Sequence, residues 1–297
     1  MRQKILVTGA SGLLGTELCL QLSTLGVEVW AVDNHSRSSS IPVCDKFIKC
    51  DVSDPNQYYH FDFDFDYIFH YAAVNGTTNF YSNPNKVLYN NTMGDLLMFE
   101  FAKKCKNLKK LIYASSSEIV SDDITPTAEV SNSSIDDIHN PRWSYRLSKM
   151  SAENYLSNSD LPYLIIRYFN VYGNETFPGH FVFDQITKIK KGIFELIGAY
   201  ETRSFCHVSD AIKVTICAIP SFPTNEIVNI GSDEEILIID AANALASMLG
   251  HNCPNWRLLD GMEGSTKTRR PDLYKLLRAV PSYKPMKFID GIKLLSC

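Results

Sequence analysis

Two side chains four residues apart carry the clearest chemistry in this sequence. Tyr145 and Lys149 stand at positions i and i+4 of a predicted helix, which places a phenol and an ammonium on one helix face. A free tyrosine titrates near ~10, and a neighbouring cation stabilises the phenolate so that it can act as a base near neutral pH. The pair therefore indicates proton transfer at a hydroxyl group during hydride transfer. Alone, the same spacing also fits a surface Tyr and Lys.

A run of hydroxyl groups supports the catalytic interpretation. Ser115, Ser116 and Ser117 end a predicted strand and precede Glu118. Ligands bind at this edge of open α/β sheets, and a serine there can hydrogen-bond the substrate oxygen that the tyrosine deprotonates. A serine-rich turn is the alternative, but the Tyr–Lys pair in the same chain favours a functional role. The candidate catalytic residues are Ser116, Glu118, Tyr145 and Lys149.

A glycine-rich loop follows the first predicted strand. Gly9, Gly12 and Gly15 have the G-x-x-G-x-x-G spacing between that strand and a predicted helix. Such glycines allow a tight turn, the approach of backbone N–H groups to a pyrophosphate and close helix–strand packing. The helix N-terminus adds free donors for the phosphates. The loop predicts a dinucleotide site. Its contact residues are Gly9, Ser11, Gly12, Leu13, Leu14 and Gly15.

Two carboxylates follow the next predicted strands. Asp33 ends the second strand, where a carboxylate hydrogen-bonds the adenosine ribose and repels a 2′-phosphate, so NAD is favoured over NADP. Arg37 is close enough in sequence to leave NADP open. Asp51 and Val52 follow the third strand and are candidates for contact with the adenine ring. Equally, Asp51 could cap a turn with Ser53.

The alternation of predicted elements favours an α/β fold with a doubly wound parallel sheet. Short apolar runs predict strands at 4–8, 27–32, 47–49, 67–70, 110–114, 163–167, 194–197 and 226–229. Helical periodicity predicts helices at 12–26, 84–106, 145–156, 183–191 and 208–218. The sequence pattern changes after Asn170, and no Gly-, Ser- or Pro-rich linker follows. We therefore expect two lobes interleaved in sequence, with a cleft between them.

The composition excludes several classes of protein. The chain has 297 residues, 45% hydrophobic and 21% charged, which fits a folded globular protein. A formal net charge of −4 offers no basic field for nucleic acid, and no apolar run approaches the ~18 residues of a membrane span. The eight cysteines and seven histidines are scattered, so no metal site is expected. The first apolar run is too short for a signal peptide, and a cytoplasmic location with reduced thiols is expected.

Seven segments together resemble one known superfamily. They are TGASGLLG at 8–15, Asp33, Asp51, HYAA at 70–73, YASSSE at 113–118, YRLSK at 145–149 and RYFNVYG at 167–173. The chain resembles the extended short-chain dehydrogenases/reductases, and within them the nucleotide-sugar epimerases and dehydratases, a group that includes UDP-glucose 4-epimerase. The resemblance implies a Rossmann-type sheet with a smaller, discontinuous α/β substrate lobe, NAD as cofactor, a nucleotide diphosphate sugar as substrate and a homodimer.

The resemblance also assigns residues to the two ligands. The cofactor contacts already given are the loop residues, the two aspartates, Val52 and the Tyr–Lys pair. To these the resemblance adds Tyr71, Ala72, Ala73 and Asn91. The substrate contacts are Asn75, Ser117, Asn170, Arg203, Arg270 and Asp272. Arg203 in RSFCHVSD and Arg270 in RRPD match arginines that contact the diphosphate. Two guanidinium groups from separate segments suit such a group.

The resemblance further implies how the chain is divided. Residues 1–168 and 204–232 are expected to form the NAD-binding Rossmann domain, and residues 169–203 and 233–297 the nucleotide-sugar lobe. One departure from the family pattern is the run Ile119-Val120-Ser121, where V-Y-G is usual. This run is expected to reshape the wall of the sugar pocket.

The implied reaction begins at the sugar 4-hydroxyl. By resemblance, Tyr145 takes its proton as the C4 hydride passes to NAD⁺, Ser116 binds the oxygen, and Lys149 holds the nicotinamide ribose. A 4,6-dehydratase usually has an Asp-Glu pair after its Ser or Thr, whereas Ser117-Glu118 stands here. A 4-epimerase is therefore favoured. A dehydratase or decarboxylase with Glu118 as base stays open, as do an NAD(P)-dependent carbonyl reductase and an inactive NAD-binding protein.

Overall fold

A parallel sheet of seven strands lies at the centre of the described part of the chain. The computed structural model describes residues 2–61, 64–120, 125–131, 133, 135, 137–174, 178–252, 254–262 and 264–296. The strands of the described residues, in the central sheet and outside it, are β1 (Lys4–Thr8), β2 (Glu28–Asp33), β3 (Lys46–Lys49), β4 (Tyr67–His70), β5 (Lys110–Ser116), β6 (Tyr163–Tyr168), β7 (Val171–Tyr172), β8 (Glu195–Ile197), β9 (Thr202–Ser204), β10 (Cys206–His207), β11 (Glu226–Ile230), β12 (Glu235–Leu237) and β13 (Arg257–Leu259). The sheet has the order β11-β6-β5-β4-β1-β2-β3, and all neighbouring strands run parallel.

Helices cover both faces of this sheet. The helices of the described residues are α1 (Leu13–Ser23), α2 (Thr77–Ser82), α3 (Pro84–Ala102), α4 (Trp143–Ser157), α5 (Phe181–Lys190), α6 (Val208–Ser221), α7 (Ile238–Met248), α8 (Tyr274–Ala279) and α9 (Phe288–Gly291), with short 3₁₀ turns at Pro55–His60, Ser117–Ile119 and Ile292–Leu294. Apolar side chains of α1 and α6 pack on one face, and those of α3 and α4 pack on the other. The predicted doubly wound α/β fold is confirmed.

The apolar runs of the central strands follow from this double cover. Leu6 and Val7 are adjacent in β1 and both fully buried. Their side chains point to opposite faces of the strand, so Leu6 joins the core under α3 and α4 while Val7 joins the core under α1 and α6. A strand covered on both sides therefore has no polar face to expose.

A third apolar core lies outside the two cores of the sheet. It gathers buried residues of α5, α7 and α9, among them Val182, Ile189, Leu245 and Phe288. Three two-stranded pairs, β7–β10, β9–β12 and β8–β13, belong to the same part of the chain. The assignment of this part to a nucleotide-sugar lobe with the boundaries given above stays a prediction.

Two further observations concern the described residues. No helix among them combines the length and the apolarity that a membrane crossing requires, and no three of their His, Cys, Asp or Glu side chains gather as metal ligands would. In the run that departs from the family pattern, Ile119 and Val120 are buried. Ser121 lies outside the described residues, so the predicted effect of this run on the sugar pocket stays a prediction.

Candidate active site

A cleft opens where the central strands end. Residues that follow β1, β4, β5 and β6 line one cavity of about 410 Å³. A second cavity of about 100 Å³ is lined by residues that follow β2 and β3, and it shares Gly9, Gly12 and Tyr71 with the first. Because parallel strands end at one edge of the sheet, segments far apart in sequence meet at this cleft.

The glycine-rich loop is shaped by close backbone contacts. Gly9 has φ +65°, and a Cβ there would lie 2.6 Å from the backbone nitrogen of Ala72. A Cβ on Gly15 would lie 2.2 Å from the carbonyl oxygen of Gly9. Helix α1 begins directly after Gly12, and no side chain caps it there. The loop therefore suits the close approach of a pyrophosphate to backbone N–H groups at a helix N-terminus.

The two predicted carboxylates line the smaller cavity. Asp33 accepts hydrogen bonds from the backbone N–H groups of Ser11 (3.0 Å) and His35 (2.8 Å), which fixes the carboxylate beside the glycine-rich loop. Asp51 accepts from Ser53 and from the amide of Asn34. Burial acts to raise the pKa of Asp51, but these hydrogen bonds outweigh it and lower the pKa overall. Asp51 thus caps a turn and also lines the cavity.

The segment after β4 is held in place by Asn91. The side-chain amide of Asn91 accepts from the backbone N–H of Val74 (2.7 Å) and donates to the carbonyl of the same residue (3.1 Å). The predicted cofactor contacts of this segment, Tyr71, Ala72 and Ala73, all line the smaller cavity, as does Asn91 itself. Asn91 therefore shapes the cavity as well as lining it.

Tyr145 lies buried in the larger cavity, near the N-terminus of α4. Its ring stacks on Phe80 of α2 with 4.9 Å between centroids. Burial raises the pKa of Tyr145 well above its ordinary value, and a hydrogen bond with Ser116 offsets only part of that effect. β5 extends to Ser116, so the predicted serine sits on the last residue of the strand, next to the tyrosine.

Lys149 follows Tyr145 on the same face of α4. Its Nζ lies 5.9 Å from the centre of the Tyr145 ring and donates to the hydroxyl of Tyr113 at 3.0 Å. The side chain is 2% exposed, and burial lowers the pKa of Lys149 while the charges of Asp95 and Glu153 act against that shift. The two predicted catalytic side chains thus lie together in the cleft.

Glu118 stands between two buried guanidinium groups. Arg142 donates to its carboxylate at 3.0 Å, and Arg269 binds the same oxygen. Burial alone would raise the pKa of Glu118, but the two arginines hold it far below its ordinary value, with a smaller effect from Arg146. Arg146 itself lies over the ring of Trp143, 3.9 Å from its centroid. We call Arg142, Glu118 and Arg269 the arginine–glutamate cluster; all three line the larger cavity.

Four of the six predicted substrate contacts line the same cavity, namely Asn75, Ser117, Asn170 and Arg203. Arg203 pairs with Glu201 at 2.7 Å and donates to the hydroxyl of Ser265. Asn170, at φ +37°, donates from its side chain to the carbonyl of Ser204. Their contacts with a substrate stay predictions.

Arg270 and Asp272 do not line the cleft. Arg270 faces Glu235, with 3.3 Å between Nε and the carboxylate, and Asp272 accepts from the backbone of Tyr274 at the start of α8. Arg269 reaches the cleft instead. The backbone here is hydrogen-bonded to Ser204 of β9 and to Thr127, and successive side chains of an extended segment point to opposite sides. Of the adjacent pair, Arg269 is therefore the arginine that lines the cavity, and the substrate contacts of Arg270 and Asp272 stay predictions.

Several residues of the cleft were not singled out from the sequence. They are Phe80, Arg142 and Arg269 in the lining, and Tyr113 and Asp95 behind Lys149. Arg37 binds the carbonyl of Asn75 and lines both cavities. The RR pair before Pro271 and the arginine three residues before Tyr145 were visible signals. Asp95 carried none, because nothing in a helical run marks which carboxylate is buried.

Comparison with known proteins identifies the family. The sequence model of the NAD dependent epimerase/dehydratase family matches residues 5–231. The chain belongs to this family. The resemblance found from the motifs is confirmed, and so is the prediction of an NAD-dependent enzyme of this type. NAD is its cofactor, and the glycine-rich loop, Asp33 and the two adjacent cavities fit that cofactor.

Individual members of the family differ in reaction. A UDP-N-acetyl-α-D-glucosaminuronate decarboxylase of Bacillus cytotoxicus is 27% identical, covering 99% of this chain and 96% of its own. A UDP-glucuronic acid decarboxylase 1 of Danio rerio is 28% identical, covering 92% of this chain and 67% of its own. A solved UDP-galactose 4-epimerase is 25% identical with a TM-score of 0.84, covering 98% of this chain and 97% of its own. The family thus includes nucleotide-sugar epimerases and decarboxylases.

Proposed function

We propose that this enzyme oxidises C4 of a nucleotide-linked uronic acid and decarboxylates the resulting 4-keto sugar. The observation that carries the proposal is the arginine–glutamate cluster in the wall of the cavity that also holds Ser116 and Tyr145. Two guanidinium groups face one carboxylate there. A carboxylate on the sugar ring supplies a second negative charge, and paired guanidinium groups bind carboxylates well.

The residues of the Tyr–Lys pair perform the oxidation half of this reaction. When bound, NAD accepts the hydride from C4. The Tyr145 phenolate takes the proton of the 4-hydroxyl, and Ser116 holds the same oxygen by a hydrogen bond. Burial keeps Tyr145 a phenol in the protein alone, so Lys149 and the positive charge of the cofactor ring must stabilise the phenolate.

Decarboxylation then needs no base from the protein. Oxidation puts a ketone at C4, β to the carboxylate carbon C6. The C5–C6 bond breaks, CO₂ leaves, and the bonding electrons form an enolate whose oxygen is O4. Tyr145 and Ser116 stabilise that oxygen as hydrogen-bond donors, and C5 then takes up a proton.

The state of Glu118 weighs against the dehydratase alternative. Elimination of water from a 4-keto sugar needs a base that removes the C5 proton. Because Arg269 and Arg142 hold the pKa of Glu118 far below its ordinary value, Glu118 is a weak base. We assign Glu118 to holding the two arginines in place. The decarboxylases among the relatives support the same choice.

A panel of substrates tests the proposal. Purified protein with NAD is incubated separately with UDP-glucuronic acid, UDP-N-acetylglucosaminuronic acid, UDP-glucose and dTDP-glucose, and the products are separated by chromatography and their masses measured by mass spectrometry. We expect loss of CO₂ from a uronic acid and no product from the neutral sugars. Arg269→Met should abolish that loss, whereas Arg257→Met, which removes a surface arginine, serves as the matched control. Intact uronic acids after long incubation would refute the proposal.

A 4-epimerase, the reaction favoured by the sequence, is the second candidate. Ser117 stands where a 4,6-dehydratase usually carries an aspartate, which favours a 4-epimerase over a dehydratase. The similarity to a solved UDP-galactose 4-epimerase supports the same interpretation. In the panel, an epimerase converts a neutral sugar to an isomer of unchanged mass. The predicted homodimer is a separate proposal, which light scattering of the purified protein tests. The cytoplasmic location stays a prediction.

A further inference from the structure

A buried polar network extends from the catalytic lysine to the start of the glycine-rich loop. Lys149 Nζ donates to the hydroxyl of Tyr113 at 3.0 Å, and that hydroxyl donates to Asp95 Oδ2 at 2.7 Å. Asp95 Oδ1 lies 3.0 Å from His70 Nε2, and His70 Nδ1 lies 2.7 Å from the hydroxyl of Thr8. All five residues are at most 2% exposed. Each comes from a different element, α4, β5, α3, β4 and β1.

Asp95 is the acidic member of this network. A buried carboxylate is costly unless cations or hydrogen-bond donors compensate it. Among the described residues, no lysine or arginine nitrogen lies within 4.0 Å of the Asp95 carboxylate, and its titratable contacts are His70 and Tyr113. The Lys149 ammonium is connected to Asp95 through the Tyr113 hydroxyl. Asp95 is thus linked by hydrogen bonds to the catalytic cation.

The other acidic group near Lys149 is already neutralised. Glu153, on the same helix, accepts from Arg167 at 2.7 and 3.0 Å and from the hydroxyl of Ser115. The groups that face Lys149 are therefore Tyr145 and Glu153 from α4, Tyr113 from β5 and Asp95 from α3. Of the two carboxylates, Asp95 has no guanidinium partner among the described residues.

We infer that Asp95 is a positioning residue for the oxidation step: through the Tyr113 hydroxyl it holds the Lys149 ammonium against Tyr145 and the cofactor site. The inference rests on the assignment of Tyr145 and Lys149 in the proposed function. It applies equally to a decarboxylase and a 4-epimerase, because both begin with oxidation at C4. Burial lowers the pKa of Lys149 and the charge of Asp95 acts against this shift, so Asp95 also favours the protonated lysine.

Cofactor binding gives a test that does not require a known substrate. The dissociation constant of NAD⁺ is measured by titration calorimetry from about pH 6 to about pH 10, the range in which a perturbed lysine titrates. Wild-type protein should lose affinity at the alkaline end, as Lys149 loses its proton. The alkaline limb is the part of the binding curve in which NAD⁺ affinity falls as the pH rises. In Asp95→Asn, which removes the charge and keeps the size, the alkaline limb should shift to lower pH by about one to two units.

A second variant guards against misfolding. Tyr113→Phe removes one oxygen, keeps the ring in the core and interrupts the network while Asp95 retains its charge. The alkaline limb should move in the same direction, by less than in Asp95→Asn, and thermal unfolding shows which variant is folded. If either folded variant loses NAD⁺ affinity at the same alkaline pH as the wild type, the inference is overturned. Failure of the proposed decarboxylation would instead show as unreacted uronic acid with the pH dependence of NAD⁺ binding intact.

Discussion

Glu118→Gln removes the negative charge from the arginine–glutamate cluster and preserves the side-chain volume. The side chains of Arg142 and Arg269 are only 7% and 6% exposed, so in the variant two guanidinium groups stay buried without a carboxylate. Removal of one partner from a buried ion pair costs about 3–5 kcal/mol. For a chain of this size, each kcal/mol lowers the melting temperature by roughly 2 °C. We therefore expect a decrease of about 6–10 °C.

Calorimetry and urea unfolding near neutral pH measure this loss. The matched control is Glu195→Gln, which breaks an ion pair of similar length, 2.8 Å, in which Arg257 is 73% exposed. Exposed pairs contribute about 0–1 kcal/mol. A Glu118→Gln protein that loses no more stability than Glu195→Gln would refute the account of the cluster as a buried, mutually dependent set of charges.

The same cluster predicts how stability depends on pH. The pKa of Glu118 is lower in the folded protein than in the unfolded chain, so the folded state favours the ionised form. Its contribution is complete above the unfolded value, about 4.3, and is lost as the pH falls below it. As the pH falls, the free energy of unfolding of the wild type should therefore decrease more steeply than that of Glu118→Gln, which has no proton to bind at this position.

Three further changes have outcomes that follow from the site. Tyr145→Phe keeps the ring on Phe80 but loses the hydroxyl that we propose as the base, so turnover should fall by about 10²–10⁴-fold while calorimetry finds NAD binding little changed. Gly15→Ala puts a Cβ 2.2 Å from the Gly9 carbonyl and should lower the melting temperature, whereas Gly12→Ala, with 3.2 Å, should be milder. Burial lowers the pKa of His180 to about 4, so the neutral form is favoured on folding and stability is lost as pH falls below about 6.5. Relative to the wild type, His180→Gln should recover about 1–2 kcal/mol at pH 5 in urea unfolding.

Each of these has a result that would contradict it. Unchanged turnover in Tyr145→Phe would restore the alternative of a catalytically inactive NAD-binding protein. Equal melting temperatures for Gly15→Ala and wild type would mean that the turn can accommodate a Cβ atom at position 15, contrary to the structure. A His180→Gln protein as acid-sensitive as the wild type would mean that the imidazole is not kept neutral by the fold.

Local sequence signals were sufficient for the central sheet and for half of the site. β1 and β4 begin and end at the predicted residues, since apolar runs covered on both faces stand out from their surroundings. The glycine spacing and the Tyr–Lys spacing are read within one turn or one helix. For the same reason the position of Gly9, Asp33, Ser116, Tyr145 and Lys149 at the cleft could be predicted without any knowledge of distant contacts, while their roles stay predictions.

The rest of the site depends on contacts between distant segments. Glu118 and Arg269 are 151 positions apart, and which of two adjacent arginines turns into the cleft is decided by the alternation of an extended segment. Asp95 lies in a helix whose other carboxylate, Glu100, is exposed, and a 3.6-residue period cannot distinguish a buried acid from a surface one. The short strands β9, β12 and β13 were missed because three residues carry no periodicity.

The position of β11 has a consequence for how the chain is made. β6, whose six residues are all buried, pairs on one side with β5 and on the other with β11, which is synthesised some 60 residues later. Until Glu226–Ile230 has left the ribosome, β6 presents an apolar strand with an open hydrogen-bonding edge, and such edges recruit other chains. We expect a fragment that stops at Phe222 to aggregate during expression and one that continues past Ile230 to aggregate less. A soluble, monomeric shorter fragment would show that another segment shields this edge before β11 arrives.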